Sequence, residues 1–524
     1  MNSKISSTGQ KKKLIEISSE ATDQLDIDIV VGKDILELLS TSMYLDPLTI
    51  YREYIQNAAD AIDDAVEDNI LSSRSEGSIQ VKLDHLDRRV LIHDNGVGVP
   101  NNEFESRLTS FGSSKKRGTQ SRGFRGVGRL AGLGYCQELI FRSRSMGDET
   151  VKEIRWDCRK LKTMLSDTES SIGLEELILS IASIKNKIIA DAPEHFFEVE
   201  IIKPRRLGND LLMNEARIVD YISEIAPVPM FGDFPFENKI SKFFESKSLY
   251  LGEYAIFLND GDENQIFRPF KKKIEYHESR FGTFEEIEFF EIEGVDSNTA
   301  AIGWVAHHDY QGAIPYSQKI RGLKVRIGNI QIGGSRLFAD IFPEERFNSW
   351  AVGEFHILDS RIVPNGRRDE FELNTHYLNF RSHLLPIVND VARRCRNQSG
   401  IRNRIKDITS GETRITEAIE IIKTGAISKS YIKILEKEAL VRLGEIRKAS
   451  QHDLFQNTLK NELADRVKAL EQAINSLALN RSKNKTKSSF NASEQRIIDL
   501  IYQCSVNKIV ADVLVQRIRD ALSK

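Results

Sequence analysis

The sequence predicts a mixed α/β (α+β) protein: an N-terminal α/β sandwich, an α/β middle domain and a helical C-terminal region. Three patterns predict this. A long amphipathic helix near residue 50 is followed by two short alternating segments and then by a glycine-rich stretch over 112–134. Strand-like runs crowd into 247–372, and beyond about 375 long helical stretches with few glycines take over.

Residues 1–23 are polar and lack periodicity, which predicts a mobile tail. A helical pattern begins at Asp34, with Ile35, Leu38 and Leu39 on one side. It breaks at Tyr44-Leu45-Asp46-Pro47, where Asp46 can cap free amides and Pro47 suits a first helical turn. The helix TIYREYIQNAADAIDDAVED comes next. After the turn-like SSRSEG, the segments SIQVKLDHL and RRVLIHD read as a hairpin. The pattern loosens at Ala226-Pro227-Val228-Pro229, which places the first domain over 24–235. SLYLGEYAIFL, EEIEFFEIEG, AAIGWVAHH, GLKVRIGNIQIGG and EFHILDS then imply a second α/β domain over 246–374. In the helical region, 375–524, Leu463, Val467, Leu470, Ile474 and Leu477 are spaced as a heptad seam. A packed helix hairpin and an intermolecular coiled coil both satisfy that spacing. NRSKNKTKSSFNAS (480–493) reads as a polar linker before a last helical segment.

Composition narrows the function classes. With 524 residues the chain is long enough for about three domains, and 40% hydrophobic with 29% charged residues is ordinary for a globular protein. No apolar run reaches the length of a membrane span, about 18 residues, and no signal-peptide segment follows MNSKISSTGQKKK. Cys136, Cys158, Cys395 and Cys504 lie far apart, against both a disulfide framework and a zinc site. A balance of 74 basic and 77 acidic residues gives no global electrostatic case for nucleic acid, although a local basic patch stays open. The expectation is a cytoplasmic chain without a membrane partner.

The chemistry is concentrated between 53 and 128. Glu53, Asn57 and Asp60 are spaced by four and three residues, so one helical face carries a carboxylate for base work, an amide oxygen for Mg2+ and a further carboxylate. Alone, such a face is far more often an ordinary solvated one, since amphipathic helices carry these residues routinely. Asp94-Asn95-Gly96-Val97-Gly98 follows a strand, where a carboxylate can accept the amine of adenine and the glycines let backbone approach a ligand. Asp-Asn-Gly is also plain turn chemistry. Gly123-Phe124-Arg125-Gly126-Val127-Gly128 enters a helix with free amides suited to phosphate oxygens, and Ser113, Ser114, Lys115, Lys116 and Arg117 lie upstream in a loop. A flexible surface loop is the plainer alternative.

Taken in order, ExxxNAxDA, DxGxG and GxxGxG resemble the GHKL ATPase superfamily, which includes gyrase B, the 90-kDa heat-shock chaperones, histidine kinases, MutL and the MORC proteins. The 90-kDa chaperones are most similar. LLSTSMYLDPLTIYREYIQNAADAI resembles their opening helices, GFRGVGRLAG their phosphate-binding segment, and NDLLMNEARIVDYISEIAPVPMF their last N-domain segment. The likeness continues more weakly through KVRIGNIQIGG and Leu358–Phe371, where that family has a loop whose arginine reaches the nucleotide of the N domain.

The resemblance implies ATP and Mg2+ as ligands. Glu53 would activate the attacking water, Asn57 would ligate magnesium, and Asp60 belongs to the same motif. Asp94 would bind the adenine amine beside Gly96 and Gly98. Gly123, Gly126, Val127 and Gly128 would face the phosphates, with Ser114 and Lys115 in the lid. Arg368, with Arg367 as the alternative, would be the middle-domain arginine, stabilising charge that develops in phosphoryl transfer. Three departures stand out. Phe196-Phe197 replaces a Gly-Thr pair whose threonine serves adenine, Arg125 and Arg129 replace aromatics, and residues 375–524 match nothing in the family's dimerisation domain. The implied function is a slow ATP-driven clamp on protein clients, working as a homodimer. The alternative is a MORC-like or MutL-like clamp on DNA, and a sensor kinase is disfavoured because no phospho-acceptor helix precedes the motifs.

Overall fold

The computed structural model describes residues 36, 46–110, 128–167, 172–189, 191–277, 280–481, 490–505 and 507–522. Helix α1 (Thr49–Glu67) starts where the sequence expects it, and Asp46 Oδ1 accepts the Leu48 amide at 3.0 Å just before it. The expected hairpin forms as β1 (Ser78–Asp84) and β2 (Arg89–Asp94), with Ile79, Val81, Val90 and Ile92 buried on one side. After α2 (Phe104–Thr109) come β3 (Glu138–Arg144), β4 (Val151–Asp157), α3 (Cys158–Ser166), α4 (Leu174–Ile181), β5 (Ala182–Lys187), β6 (Phe196–Ile202) and α5 (Glu215–Ile225). The sheet runs β5-β4-β3-β6-β2-β1, with a seventh strand on the far side of β1. Its apolar face packs under α1 and the 3-10 turn Gly128–Gly134. Elsewhere on this sheet Arg142 bridges three strands through Glu153 at 2.7 Å, Glu198 at 2.7 Å and Glu200 at 2.6 Å.

The seventh strand, β7 (Ala255–Leu258), lies past the expected end of the first domain, yet it pairs in parallel with β1. Before it, α6 (Glu237–Ser246) buries Ile240 and Phe244 in the core of the second sheet. The chain therefore enters the second core, returns to the first with Tyr254, Ile256 and Ile266, and leaves again at Phe270. Apolar residues spaced over 230–270 are shared between two cores, so no single point in that stretch divides them.

The second sheet holds β8 (Lys273–Glu275), β9 (Phe281–Glu293), β10 (Thr299–His308), β11 (Gly322–Ile327), β12 (Ile330–Ile332) and β13 (Val352–Ile357), in the order β12-β11-β13-β10-β9-β8. Both faces of β10 are covered, which explains its unbroken apolar run. The first half of α7 (Thr375–Lys423) covers one face with Tyr377, Phe380, Leu384 and Val388. Phe234, Phe270 and Trp304 fill the other.

Buried arginines lock the two sheets together. Arg326 donates through Nη2 to the Glu224 carbonyl at 2.7 Å, at the C-terminal end of α5, where a cation also meets the negative end of the helix dipole. Arg268 Nε donates to the Val228 carbonyl at 3.0 Å. Glu354 bridges Arg268 and Arg326, all fully buried. The Ala226–Pro229 stretch is thus a clamped joint.

Beyond Ile401, the rest of α7 packs with α8 (Lys429–Ser450), α9 (Asn457–Arg481), α10 (Ala492–Cys504) and α11 (Lys508–Leu522) around a third core. Leu463, Val467, Ile474 and Leu477 of the heptad seam are buried inside it. The seam is a packed intrachain contact. All four cysteines are free thiols. Among the described residues, no helix is long and apolar enough to cross a membrane.

Candidate active site

Helix α1 supplies the first groups. Glu53 and Asp60 are 4% and 2% exposed and Asn57 is half-buried, so this is not a solvated amphipathic face. A buried carboxylate needs compensation. Around Glu53 lie Gly128, where a Cβ would overlap Glu53 Oε2, and two guanidinium groups, Arg52 Nε at 3.8 Å and Arg368 Nε at 3.7 Å from Oε1. Tyr54 fastens the Gly128–Gly134 turn onto the helix: its hydroxyl donates to the Arg129 carbonyl at 3.1 Å and accepts the Gly132 amide at 3.0 Å.

Strand β2 ends on Asp94, buried and cross-strand from Phe197 of β6. Its Oδ1 accepts the Gly96 amide at 2.9 Å, and burial pushes its pKa up to about 7. Gly96 packs on Ala61 of α1, where a Cβ would come within 2.6 Å of the Ala61 Cβ. Gly98 has φ +70°, and a Cβ there would overlap the Arg144 carbonyl oxygen. Residues that sequence reasoning missed hold this loop. Ser143 Oγ accepts the Val99 amide at 2.7 Å and donates to the Phe196 carbonyl at 3.0 Å, and His195 Nδ1 lies 2.9 Å from the Gly96 carbonyl. They arrive from β3 and the approach to β6, so no local motif could mark them.

The middle domain supplies the last group. Pro364 and Phe371 bridge the ends of a loop in which Arg368 adopts φ +58°, and its carbonyl accepts the Gly333 amide at 2.9 Å. That conformation is uncommon for a non-glycine residue. It directs Arg368 to Glu53, whereas Arg367 is exposed and offers only its carbonyl, which accepts Arg52 Nη2 at 3.1 Å. Arg52 was also missed, although it sits next to Glu53 in the helix. Ser114, Lys115, Gly123, Gly126 and Val127 lie outside the described residues. Phe197, half-buried, sets its ring 6.0 Å from that of Phe141 and brings no hydroxyl to Asp94.

The described residues fit a nucleotide. Asp94 is a buried acceptor with no ion-pair partner among them, as an exocyclic amine requires. Arg129 keeps Nε and Nη2 buried and unpartnered, and burial lowers its pKa to about 10, so a nearby anion would stabilise it. Asn57 offers the amide oxygen a magnesium ion would need.

Residues 50–186 match the family model of histidine kinase-, DNA gyrase B-, and HSP90-like ATPases. The chain is 26% identical over 159 residues to the chaperone protein HtpG of Halalkalibacterium halodurans, covering 28% of this chain and 25% of that protein. It is 28% identical over 196 residues to HtpG of Rickettsia akari, covering 34% and 30%, and 29% identical over 140 residues to HtpG of Hydrogenovibrio crunogenus, covering 24% and 22%. The match spans about a quarter of these relatives' length. The glycine loop on Asp94, the α1 carboxylates and these matches together make residues 50–186 similar to the GHKL ATPases, and within them to the HSP90-like chaperones.

Proposed function

We propose that the chain is a Mg2+-dependent ATPase that works as a chaperone-like conformational clamp on proteins. The observation that supports this most is Arg368, which crosses from the second domain to stand 3.7 Å from Glu53. Glu53 orients the attacking water and accepts its proton, Asn57 serves magnesium, and Asp94 selects adenine through its amine. Arg368 offsets negative charge as it grows in the transition state. ATP, when bound, would supply the phosphoryl group, which passes to water as ADP leaves. Because one domain completes the site of the other, hydrolysis is tied to their docking. Lid closure and N-domain association would then limit turnover, making it slow.

The clamp is a homodimer held by its C-terminal helices. With the heptad seam spent within the chain, α10 and α11 offer apolar surface for this contact, because Ile497, Leu500, Ile509 and Val513 are exposed.

The test is magnesium-dependent ATP turnover of wild type and Glu53→Ala, each with and without double-stranded DNA. Slow turnover that is lost in Glu53→Ala and indifferent to DNA is expected. Equal turnover in the variant refutes the role of Glu53. Turnover that requires DNA replaces the protein clamp by a DNA clamp.

A further inference from the structure

On the far side of the Glu53–Arg368 contact, the two domains enclose a cleft of about 330 Å³. Its walls are α1, α5 and the loops that follow β10, β12 and β13. Arg52 and Arg368 both line it, and both lie within 4 Å of the Glu53 carboxylate, so these two side chains stand between the cleft and that carboxylate.

The charge in this cleft is uneven. Each of its four carboxylates is already engaged. Asp46 accepts the Leu48 amide, Asp220 meets Lys319 at 3.8 Å, Glu224 takes Lys324 at 3.1 Å, and Asp369 accepts Asn365 Nδ2 at 2.7 Å. The arginines are not matched in the same way. Among the described residues, no carboxylate pairs with the guanidinium of Arg217, Arg321 or Arg367. Two further polar groups are buried there without a hydrogen-bond partner, Arg52 Nε, which has only its ion pair with Glu53, and Gln331 Oε1. Gln331 spends its Nε2 on the Gly333 carbonyl at 3.1 Å. The exposed ring of Tyr316 holds Lys319 Nζ at 4.9 Å and Arg321 Cζ at 5.5 Å from its centre, which keeps those cations at the cleft.

Unpaired guanidinium groups around a walled void suit a tetrahedral oxyanion, because their forked donors match its oxygens. The unpartnered Gln331 Oε1 needs a donor, and a hydrogen phosphate carries one on its own hydroxyl. We propose that this cleft binds inorganic phosphate and is the station through which product phosphate leaves, past Glu53 and Arg368. The exit role rests on the ATPase reading, whereas the binding of phosphate does not. Leaving by this side lets phosphate depart while the rest of the nucleotide stays on the opposite face of Glu53.

The test uses the full chain and the double variant Arg217→Ala/Arg321→Ala, two residues outside the catalytic set. Inorganic phosphate is titrated calorimetrically into each protein without nucleotide, and ATP turnover is measured at rising phosphate. The double variant is expected to bind phosphate about tenfold or more weakly, since each charge-assisted contact is worth roughly tenfold. Wild-type turnover is expected to show phosphate inhibition that saturating ATP does not relieve, and the variant to lose it while keeping its KM for ATP. Arg321→Lys, which keeps the charge, should restore part of the affinity and guards against a folding defect. Phosphate binding that is absent or equal in both proteins overturns the site. Inhibition that ATP fully relieves, unchanged in the variant, overturns the exit role. If wild type binds phosphate but does not hydrolyse ATP, the site stands and the ATPase reading falls.

Discussion

Replacing Glu354 by alanine tests what holds the two α/β domains in register. Glu354 is the carboxylate between Arg268 and Arg326, and all three side chains are at most 1% exposed. Burial alone would raise its pKa, but Arg268 and Arg326 overcome that and hold it well below the usual carboxylate range. Alanine leaves both guanidinium groups buried, with Asn329 and backbone carbonyls as acceptors but without the carboxylate that pairs with both. Breaking a buried pair from one side costs about 3–5 kcal/mol. For a domain of this size that is a melting temperature lower by about 6–20 °C. Because Arg326 and Arg268 also hold the Glu224 and Val228 carbonyls, the variant should loosen the docking of Arg368 on Glu53. ATP turnover should then fall more steeply than nucleotide affinity, at temperatures well below the melt. The assay is a thermal melt followed by circular dichroism, beside turnover and ADP binding at 20 °C below the transition. Wild type also carries an acid signature. The stability due to Glu354 is present above its ordinary pKa of 4.5 and is lost as pH falls through the depressed native value. The variant should lack that part of the acid sensitivity. A melting temperature within 2 °C of wild type, a margin set against the scale of about 2–4 °C per kcal/mol, would refute the claim that this charge cluster secures the joint.

Other consequences follow from the same geometry. Gly98→Ala meets both a left-handed φ and the Arg144 carbonyl, so it should cost about 2–5 kcal/mol and abolish nucleotide binding; a folded variant that binds ADP normally contradicts the assignment of this loop. Asp94, with its pKa pushed from 3.8 to about 7, accepts an amine well only when ionised. ADP affinity, read by calorimetry, should therefore fall about tenfold per pH unit below 7. The same shift contributes stability that is fully present below pH 3.8 and lost as pH rises through about 7. Arg368→Ala should cut turnover by about 10³-fold with little loss of ADP affinity, while Arg367→Ala leaves turnover near wild type. A chain ending at 400 keeps the first two cores, whose last member is Cys395, and should sediment as a monomer; a dimer would place self-association elsewhere.

Much of this protein was legible along the chain because its determinants are local. The start of α1 at Asp46-Pro47 and the alternation of β1 and β2 depend on neighbours a few residues apart. So does the spacing that puts Glu53, Asn57 and Asp60 on one helix, and the same holds for the Asp94–Gly98 loop. What those motifs did not contain was burial. Glu53 could have been a solvated residue until Gly128, Arg52 and Arg368 were brought around it. Arg368 lies more than 300 residues from Glu53, and only the positive φ of its loop and the Gly333 amide decide that it, and not Arg367, faces that carboxylate. The return of β7 to the first sheet, the Arg268–Glu354–Arg326 joint and the folding of the heptad seam into an intrachain bundle share that origin. Each is a choice among partners that local pattern leaves equivalent: an apolar stripe specifies that it will be covered but not by what, and a charge specifies that it needs a counter-charge but not from where.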